Sequence, residues 1–488
     1  MNRDIRVVLE QLGVHSASMM VAHLRLDSRQ VEAEDAFIAI QGHQQNGEDF
    51  ALSALEQGAA CVLIDADSHL CTSHPDFIPV PNLINNAAKI AALFYDKPSQ
   101  RMCTIGVTGT NGKSTTTAMI ASLAQHCDTP SAVVGTLGYG NPKKLTELAN
   151  TTPSNVDLQR ILAQLSECNK LVAMEVSSHG LVQGRLDETH FDVAVFTNLS
   201  RDHLDYHGDM AQYALAKLSL FQNHNPQHSV LNIDDEHGQQ WLTEHHFDNI
   251  VVYGKKRQHS AFKRYVWFDD VVCDHQGMTV TIDSSWGRGQ LRTPLFGLFN
   301  VYNLAAALAA LLTQGFAFSS LLKAAKYLEP VAGRMQAFSA PNKPTCIVDY
   351  AHTPEALELA LQALQHHVPG NVVCVFGCGG DRDKGKRPLM AQAAERNADK
   401  LVITSDNPRS EDPQNIINDV KAGLSNPEYA VCKVDRAQAI RYAIEHAPQN
   451  AVVLIAGKGH EDYQIIGDKR LPFCDRRFVE TVLQEVSA

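Results

Sequence analysis

Short apolar runs alternate with stretches of helical periodicity along most of the chain, and turn-forming clusters separate them. Residues 35–40 read as a buried strand, 47–57 as a helix and 60–64 as a second strand. A turn-rich stretch at 65–81 and a helix at 82–95 complete a small α/β unit over residues 1–90. From 91 to 331 the alternation becomes regular. Apolar strands are expected at 103–107, 171–176 and 191–196, with helices at 114–126 and 300–312. Strands and helices in alternation predict a parallel sheet with helices on both faces, and the pattern around 266–292 shifts toward hairpins. A third unit, 332–488, carries strands at 345–348, 372–376, 401–404 and 452–456 with helices between them, a Rossmann-like order. The fold class is therefore α/β, in three domains.

Length agrees with that division, because 488 residues exceed what one hydrophobic core serves. Apolar residues make up 44% and charged residues 20%, an ordinary globular balance. A formal net charge of −12 repels nucleic-acid phosphates over most of the surface, so no nucleic-acid partner is expected, and a phosphate site must be local and pre-organised. Eleven cysteines without a CxxC pair read as reduced thiols in a reducing compartment, the cytoplasm. The N-terminal segment carries charges inside its apolar stretch, unlike a signal peptide, and no apolar run is long enough to span a membrane.

The sharpest chemical signal is Gly106-Val-Thr-Gly109-Thr-Asn-Gly112-Lys113-Ser114-Thr115, between an apolar strand and a helix. Backbone N–H groups of such a turn form an anion site; Lys113 adds a charge for terminal phosphates, and a hydroxyl of Ser114 or Thr115 can ligate Mg²⁺. Val107 stands where strict P-loop spacing has glycine, so the loop is a variant. Glu175 ends an apolar strand. An acid there reaches Mg²⁺ in nucleotide-hydrolysing folds, and equally fits as a plain strand-end carboxylate. The stretch Thr197–His207 gathers acids and imidazoles, each of which alone reads as well as a structural residue. In the third unit three strands run into polar loops: Gly377–Lys384, Asp406–Arg409 and Gly457–Asp462. If these strands are parallel, their loops share one edge, where open α/β sheets bind ligands. Arg382 and Arg409 facing Asp406 and Glu461 suit a zwitterion, the arginines gripping carboxylate and the acids ammonium.

Taken in order, several motifs resemble the Mur ligases of peptidoglycan synthesis. They are Gly109-Thr-Asn-Gly-Lys-Ser-Thr115, Thr151-Thr-Pro153, Met174-Glu-Val-Ser-Ser-His179, Thr197-Asn-Leu-Ser-Arg-Asp-His203, Gly297-Leu-Phe-Asn-Val-Tyr-Asn303, Asp349-Tyr-Ala-His-Thr-Pro354 and Asp406-Asn-Pro-Arg409. The last resembles the diaminopimelate-adding version. The resemblance spans all three units and implies an ATP-dependent ligase that joins meso-2,6-diaminopimelate to UDP-N-acetylmuramoyl-L-alanyl-D-glutamate through an acyl-phosphate. It implies ATP contacts at Gly109, Thr110, Asn111, Gly112, Lys113, Ser114, Thr115, Asn300, Arg334 and Asp349. Two Mg²⁺ ions would be held by Ser114, Glu175, His203 and an N-carboxylated Lys217, with Lys113, Lys217 and His203 catalytic. The uridine-nucleotide substrate would meet Leu26, Ser28, His43, Gln44, Gln45, Asn150, Thr151, Thr152, Ser177, Gln183 and Arg185. Diaminopimelate would meet Arg382, Asp406, Asn407, Pro408, Arg409, Gly457 and Glu461. A cytoplasmic monomer acting on small molecules, without membrane insertion, is expected. Rival readings are another ligase of the superfamily, a P-loop ATPase switch and a non-catalytic nucleotide-binding module.

Overall fold

In the computed structural model the described residues are 2–42, 45–148, 150–256, 262–274, 277–367 and 371–485. Three main sheets follow one another along the chain. The first has four parallel strands, Leu24–Arg25, Ala36–Ala39, Cys61–Asp65 and Phe77–Val80, in chain order. Phe77–Val80 was expected to be turn. Its Pro79 removes a donor, which an edge strand tolerates, and edge is the place it takes.

The central sheet has eleven strands. Seven neighbours are parallel, ordered Ser131–Gly135, Leu171–Glu175, Cys103–Thr108, Val193–Phe196, His228–Asn232, Ile250–Lys255 and Tyr265–Asp274. Period-two alternation sends Ile105, Val107, Leu171, Ala173, Val193 and Val195 to one face. There they pack against Met119, Ile120 and Leu123 of helix Lys113–His126 and against the alanine-rich helix Leu298–Thr313. Val172, Met174, Ala194 and Phe196 point the other way, onto Leu158, Ile161 and Leu162 of helix Asn155–Ser166 and Leu218 of helix Met210–Gln222. The expectation of a parallel sheet needs one correction, since both ends are antiparallel. Gly138–Asn141 and Lys144–Thr146 extend one edge, and Gly277–Ser284 and Gly287–Thr293 the other. The second set is the hairpin pattern seen near residue 266. The first is short and glycine-rich, so it carries no alternation to read.

The third sheet runs Gln336–Phe338, Thr345–Asp349, Val452–Ala456, Val372–Phe376, Lys400–Thr404, Ala430–Lys433, all parallel except the first pairing. Strands 345–349, 372–376, 400–404 and 452–456 therefore end on one edge. Beyond that edge a two-stranded hairpin, Tyr463–Ile466 with Lys469–Pro472, returns toward the loop after Thr404: Arg409 N–H donates to the Ile465 carbonyl at 3.1 Å. The first and central units share core, since Val156 and Ala163 of helix Asn155–Ser166 pack with Ile90, Ala91 and Phe94. Among the described residues no helix is long and apolar enough to cross a membrane.

Candidate functional site

The phosphate loop leaves strand Cys103–Thr108 and enters helix Lys113–His126 through Gly112. Its conformation is fixed by the segment after the neighbouring strand. Thr110 N–H donates to the Asn198 carbonyl (2.8 Å), Asn111 N–H to Asn198 Oδ1 (2.9 Å), and Thr197 Oγ1 to the Asn111 carbonyl (2.6 Å). Glycine is obligatory at 109, where φ is +149° and a Cβ would overlap the Thr197 hydroxyl. At 112 a Cβ would overlap the Asn303 amide.

Two lysines meet at this loop, Lys113 half-buried and Lys217 buried. Lys113 Nζ donates to the carbonyls of Gly109 and Thr110, both at 2.8 Å. Lys217, on helix Met210–Gln222 and 1% exposed, donates to the same Gly109 carbonyl at 2.8 Å and lies over the Tyr213 ring at 4.4 Å. Burial lowers the pKa of both. For Lys217 the drop is large, because the Lys113 cation adds to burial and, among the described residues, no carboxylate lies within ion-pair distance. Glu175 ends strand Leu171–Glu175 and is nearly buried; its carboxylate accepts from Thr136 N–H (2.9 Å) and Thr136 Oγ1 (3.2 Å). Burial, only partly opposed by Asp202, pushes the His203 imidazole down to about 4, so it is neutral near pH 7.

Lys113, Ser114, Thr115, Glu175, His203 and Lys217 line one cavity of about 320 Å³, together with Asn150, Thr151, Thr152, Ser177 and Arg185. Thr151 Oγ1 is 3.0 Å from Thr136 Oγ1, and Thr152 Oγ1 donates to the Glu175 carbonyl at 3.0 Å, so the Thr-Thr pair is tied to the Glu175 strand end. Arg185 donates to the Thr152 carbonyl at 2.8 Å. Gln183 stands apart, bonded to the Tyr206 hydroxyl at 3.2 Å.

A second cavity of about 430 Å³ opens between the central and third units. Asn111, Gly112, Thr115, Asn300, Arg334 and Asp349 all line it. Asn300 Nδ2 donates to the Phe296 carbonyl (2.8 Å) and Asn300 Oδ1 accepts from Asn303 (3.2 Å). Asp349 accepts Met335 N–H (2.7 Å) and Ala351 N–H (2.8 Å). Burial raises its carboxyl pKa against the pull of Arg334, whose guanidinium covers the Tyr350 ring at 4.5 Å.

The third unit's loops meet as parallel strands require. Asn407 Nδ2 donates to Glu461 Oε2 at 2.9 Å, and Arg409, in a left-handed conformation, donates to the Gly380 carbonyl at 2.7 Å. Gly457 packs against Asp406: a Cβ there would come within 2.6 Å of its carboxylate. Glu461 lines a third cavity of about 880 Å³ that also reaches Ser114, Asn150, Thr151 and Glu175. Arg382 is brought into none of these contacts. It is exposed and, among the described residues, its guanidinium has no hydrogen bond or ion pair. Leu26 and Ser28 lie on the first unit, Ser28 opening the short helix Ser28–Gln30; with exposed Gln45 they line none of the three cavities. His43 and Gln44 lie outside the described residues.

Sequence reasoning missed Thr136, Asn198, Asn303, Lys458 and the buried pair Arg436–Asp475. Lys458 had a signal, a lysine between two glycines directly after an apolar strand. Thr136 had none, being an ordinary residue until the fold brings it to Glu175, whereas Asn198 and Asn303 stood inside the resembling motifs without an assigned role.

Comparison with known proteins accords with this geometry. Residues 20–102 match the Mur ligase family catalytic domain, 107–311 the Mur ligase middle domain, and 333–459 the Mur ligase glutamate ligase domain. The chain is 46% identical over 462 residues to a UDP-N-acetylmuramoyl-L-alanyl-D-glutamate–2,6-diaminopimelate ligase of Haemophilus influenzae, covering 92% of this chain and 94% of that one. A solved structure of an enzyme of the same name, 34% identical, superposes with a TM-score of 0.69 over the full length of both chains. The MurF ligase of Thermotoga maritima in complex with ADP shares the fold, at 16% identity and a TM-score of 0.68, over 96% of this chain and 99% of that one. The chain belongs to the Mur ligase family.

Proposed function

We propose that this protein is the ATP-dependent ligase that adds meso-2,6-diaminopimelate to the D-glutamate of UDP-N-acetylmuramoyl-L-alanyl-D-glutamate, a cytoplasmic step in building the peptidoglycan precursor and so in cell-wall growth and division. One observation carries the reading. The cavity that holds the phosphate loop and the cavity that Glu461 lines share Ser114, Thr136, Asn150, Thr151, Glu175 and Tyr350. A nucleotide tail, a carboxylate and an incoming amine thus have one continuous space. The names of the relatives, one of them 46% identical along nearly the whole chain, support the same substrates.

Residues 1–90 would take the uridine nucleotide through Leu26, Ser28 and His43–Gln45, 91–331 the ATP, and 332–488 the amino acid. Asn300 and Asp349 would flank the nucleoside, with Arg334 and Lys113 toward its phosphates. Thr151, Thr152, Ser177 and Arg185 would hold the dipeptide end, with Asn150 and Gln183 at its margin. Asp406 and Glu461 would take an ammonium, with Asn407 and Pro408 shaping that loop, and Arg409, with Arg382 swinging in, would take a carboxylate.

The glutamate carboxylate attacks the γ-phosphorus of ATP, giving an acyl-phosphate and ADP. The amine of diaminopimelate then adds to the acyl carbon, and the tetrahedral intermediate expels phosphate as the nitrogen loses its proton. Lys113 and the loop N–H groups offset the repulsion between carboxylate and triphosphate. The donor set suits Mg²⁺. Hydroxyl and carboxylate oxygens of Ser114 and Glu175 line the phosphate cavity, and among the described residues no cluster of three or more His, Cys, Asp or Glu forms a closed protein cage. Mg²⁺ commonly completes its shell with phosphate oxygens and water. Ser114 and Glu175 would hold one ion and neutral His203 a second, both neutralising charge on the transferring group. Lys217 presents an amine bonded to a carbonyl. Burial and the Lys113 cation lower its pKa, which favours the neutral amine that CO₂ requires, and N-carboxylation would turn it into an oxygen donor for the second ion. Closure of the third unit onto the central one would keep water from the acyl-phosphate.

The test is mass spectrometry of products from ATP, the UDP-linked dipeptide and either diaminopimelate or lysine. A single amide product with diaminopimelate and stoichiometric ADP is expected. ATP hydrolysis without the dipeptide, or preferential use of lysine, would overturn the assignment.

A further inference from the structure

Lys458 belongs to no substrate cavity described above, yet its side chain is completely buried, directly behind a residue that does line one. It follows strand Val452–Ala456, and its ammonium donates to Glu461 Oε2 at 2.7 Å and to Asn407 Oδ1 at 3.2 Å. Asn407 Nδ2 donates to the same Glu461 oxygen at 2.9 Å, and Asn407 Oδ1 also accepts Ile465 N–H at 3.0 Å. The three side chains close a triangle. A lysine has donors and no acceptor, so it can face only the oxygen of the Asn407 amide, and the amide nitrogen is thereby aimed at Glu461. Glu461 Oε2 is fully engaged, while Oε1 carries no protein hydrogen bond among the described residues and belongs to a side chain on the wall of the 880 Å³ cavity.

We propose that Lys458 is a positioning residue for amino-acid recognition, holding Asn407 and Glu461 so that one carboxylate oxygen of Glu461 faces the substrate ammonium. Its charge also balances Glu461, while Asp406, which among the described residues has no ion pair, adds an uncompensated negative charge toward a zwitterion. The proposal rests on the assignment of Asn407 and Glu461 to the amino-acid site.

The experiment uses the full chain with Lys458→Met, Lys458→Gln and Lys458→Arg. Two activities are read: diaminopimelate addition, and hydroxamate formation from ATP, the UDP-linked dipeptide and hydroxylamine. Hydroxylamine traps the acyl-phosphate and is too small to need the amino-acid loops. For Lys458→Met the KM for diaminopimelate rises about tenfold or more, the size expected when charge-assisted hydrogen bonds are lost. Hydroxamate formation and the KM for ATP stay near wild type. Lys458→Arg, which keeps the cation, falls between. If Lys458→Met is too unstable to purify, Lys458→Gln, which keeps a donor without the charge, supplies the same comparison. An unchanged KM for diaminopimelate, or a parallel loss of hydroxamate formation and addition, overturns the proposal. Wild-type enzyme that forms hydroxamate but never adds diaminopimelate would instead overturn the assignment of the amino-acid site.

Discussion

The Arg436–Asp475 pair offers the most quantitative test of how the third unit holds its binding loops. Both side chains are 0% exposed. The guanidinium donates to both carboxylate oxygens, at 2.8 and 2.7 Å, and also to the Ala456 carbonyl at 2.9 Å and the Ser405 carbonyl at 3.3 Å. Those carbonyls immediately precede Asp406 and Gly457, so one side chain ties together two of the loops that meet at Glu461. Arg436→Met leaves Asp475 buried without a partner. The carboxylate's cheapest escape is protonation; for an ordinary aspartate at pH 7 this costs about 4 kcal/mol, three pH units at about 1.4 each. That agrees with the roughly 3–5 kcal/mol found when one member of a buried pair is removed. At about 2–4 °C per kcal/mol for a unit of this size, the unfolding midpoint of the third unit falls by about 6–20 °C. Differential scanning calorimetry reads the shift, and lowering the pH to 5 cuts it to about a third, because protonation then costs about one pH unit instead of three. Arg436→Met with Asp475→Leu removes both charges and recovers most of the loss. A midpoint within 2 °C of wild type for the single variant, or a double variant no better than the single, refutes the argument.

Three further outcomes follow from other contacts. Gly109→Ala puts a Cβ on the Thr197 hydroxyl in a left-handed conformation, and the shifted loop should lower ATP turnover by about 100-fold with the circular dichroism spectrum unchanged; near-normal turnover would mean the loop is not the phosphate site. Arg409→Ala should weaken diaminopimelate addition far more than ATP binding, read by steady-state kinetics against calorimetric titration of nucleotide; equal effects would remove Arg409 from the amino-acid site. Glu411 is held down to about 2 first by its hydrogen bonds from Arg387, at 2.7 and 3.0 Å. A depressed carboxylate stabilises above its ordinary pKa of about 4.5 and loses that stabilisation as pH falls toward about 2. The difference in unfolding midpoint between wild type and Glu411→Gln should therefore be full at pH 7 and shrink below pH 4.5, and a pH-independent difference would contradict it.

How much of this was legible in the chain depended on whether a residue's role is local. The strands ending at Thr108, Glu175 and Ala456 were readable because burial on both faces makes continuous apolar runs, and the phosphate loop because a strand, glycines and a lysine occur within ten residues. The marginal hairpin Gly138–Asn141 with Lys144–Thr146, and the edge strand Phe77–Val80, were not, since the margin of a sheet tolerates glycine and proline and needs no apolar run. The same distinction holds in the site. Arg409 and Glu461 announce themselves by charge at a strand end, and the parallel order of the third sheet brings their loops together. Arg382, selected on the same signal, is exposed and makes no side-chain hydrogen bond among the described residues, because a loop residue's charge fixes its type but not its direction. Lys217 is the limiting case: in sequence it is one lysine in an otherwise apolar helix, and only packing shows it sharing the Gly109 carbonyl with Lys113, 104 positions away. Burial and the neighbouring Lys113 cation, with no carboxylate at ion-pair distance among the described residues, hold the Lys217 pKa well below that of an ordinary lysine. That property arises from tertiary structure alone, and no pattern along the chain could have carried it.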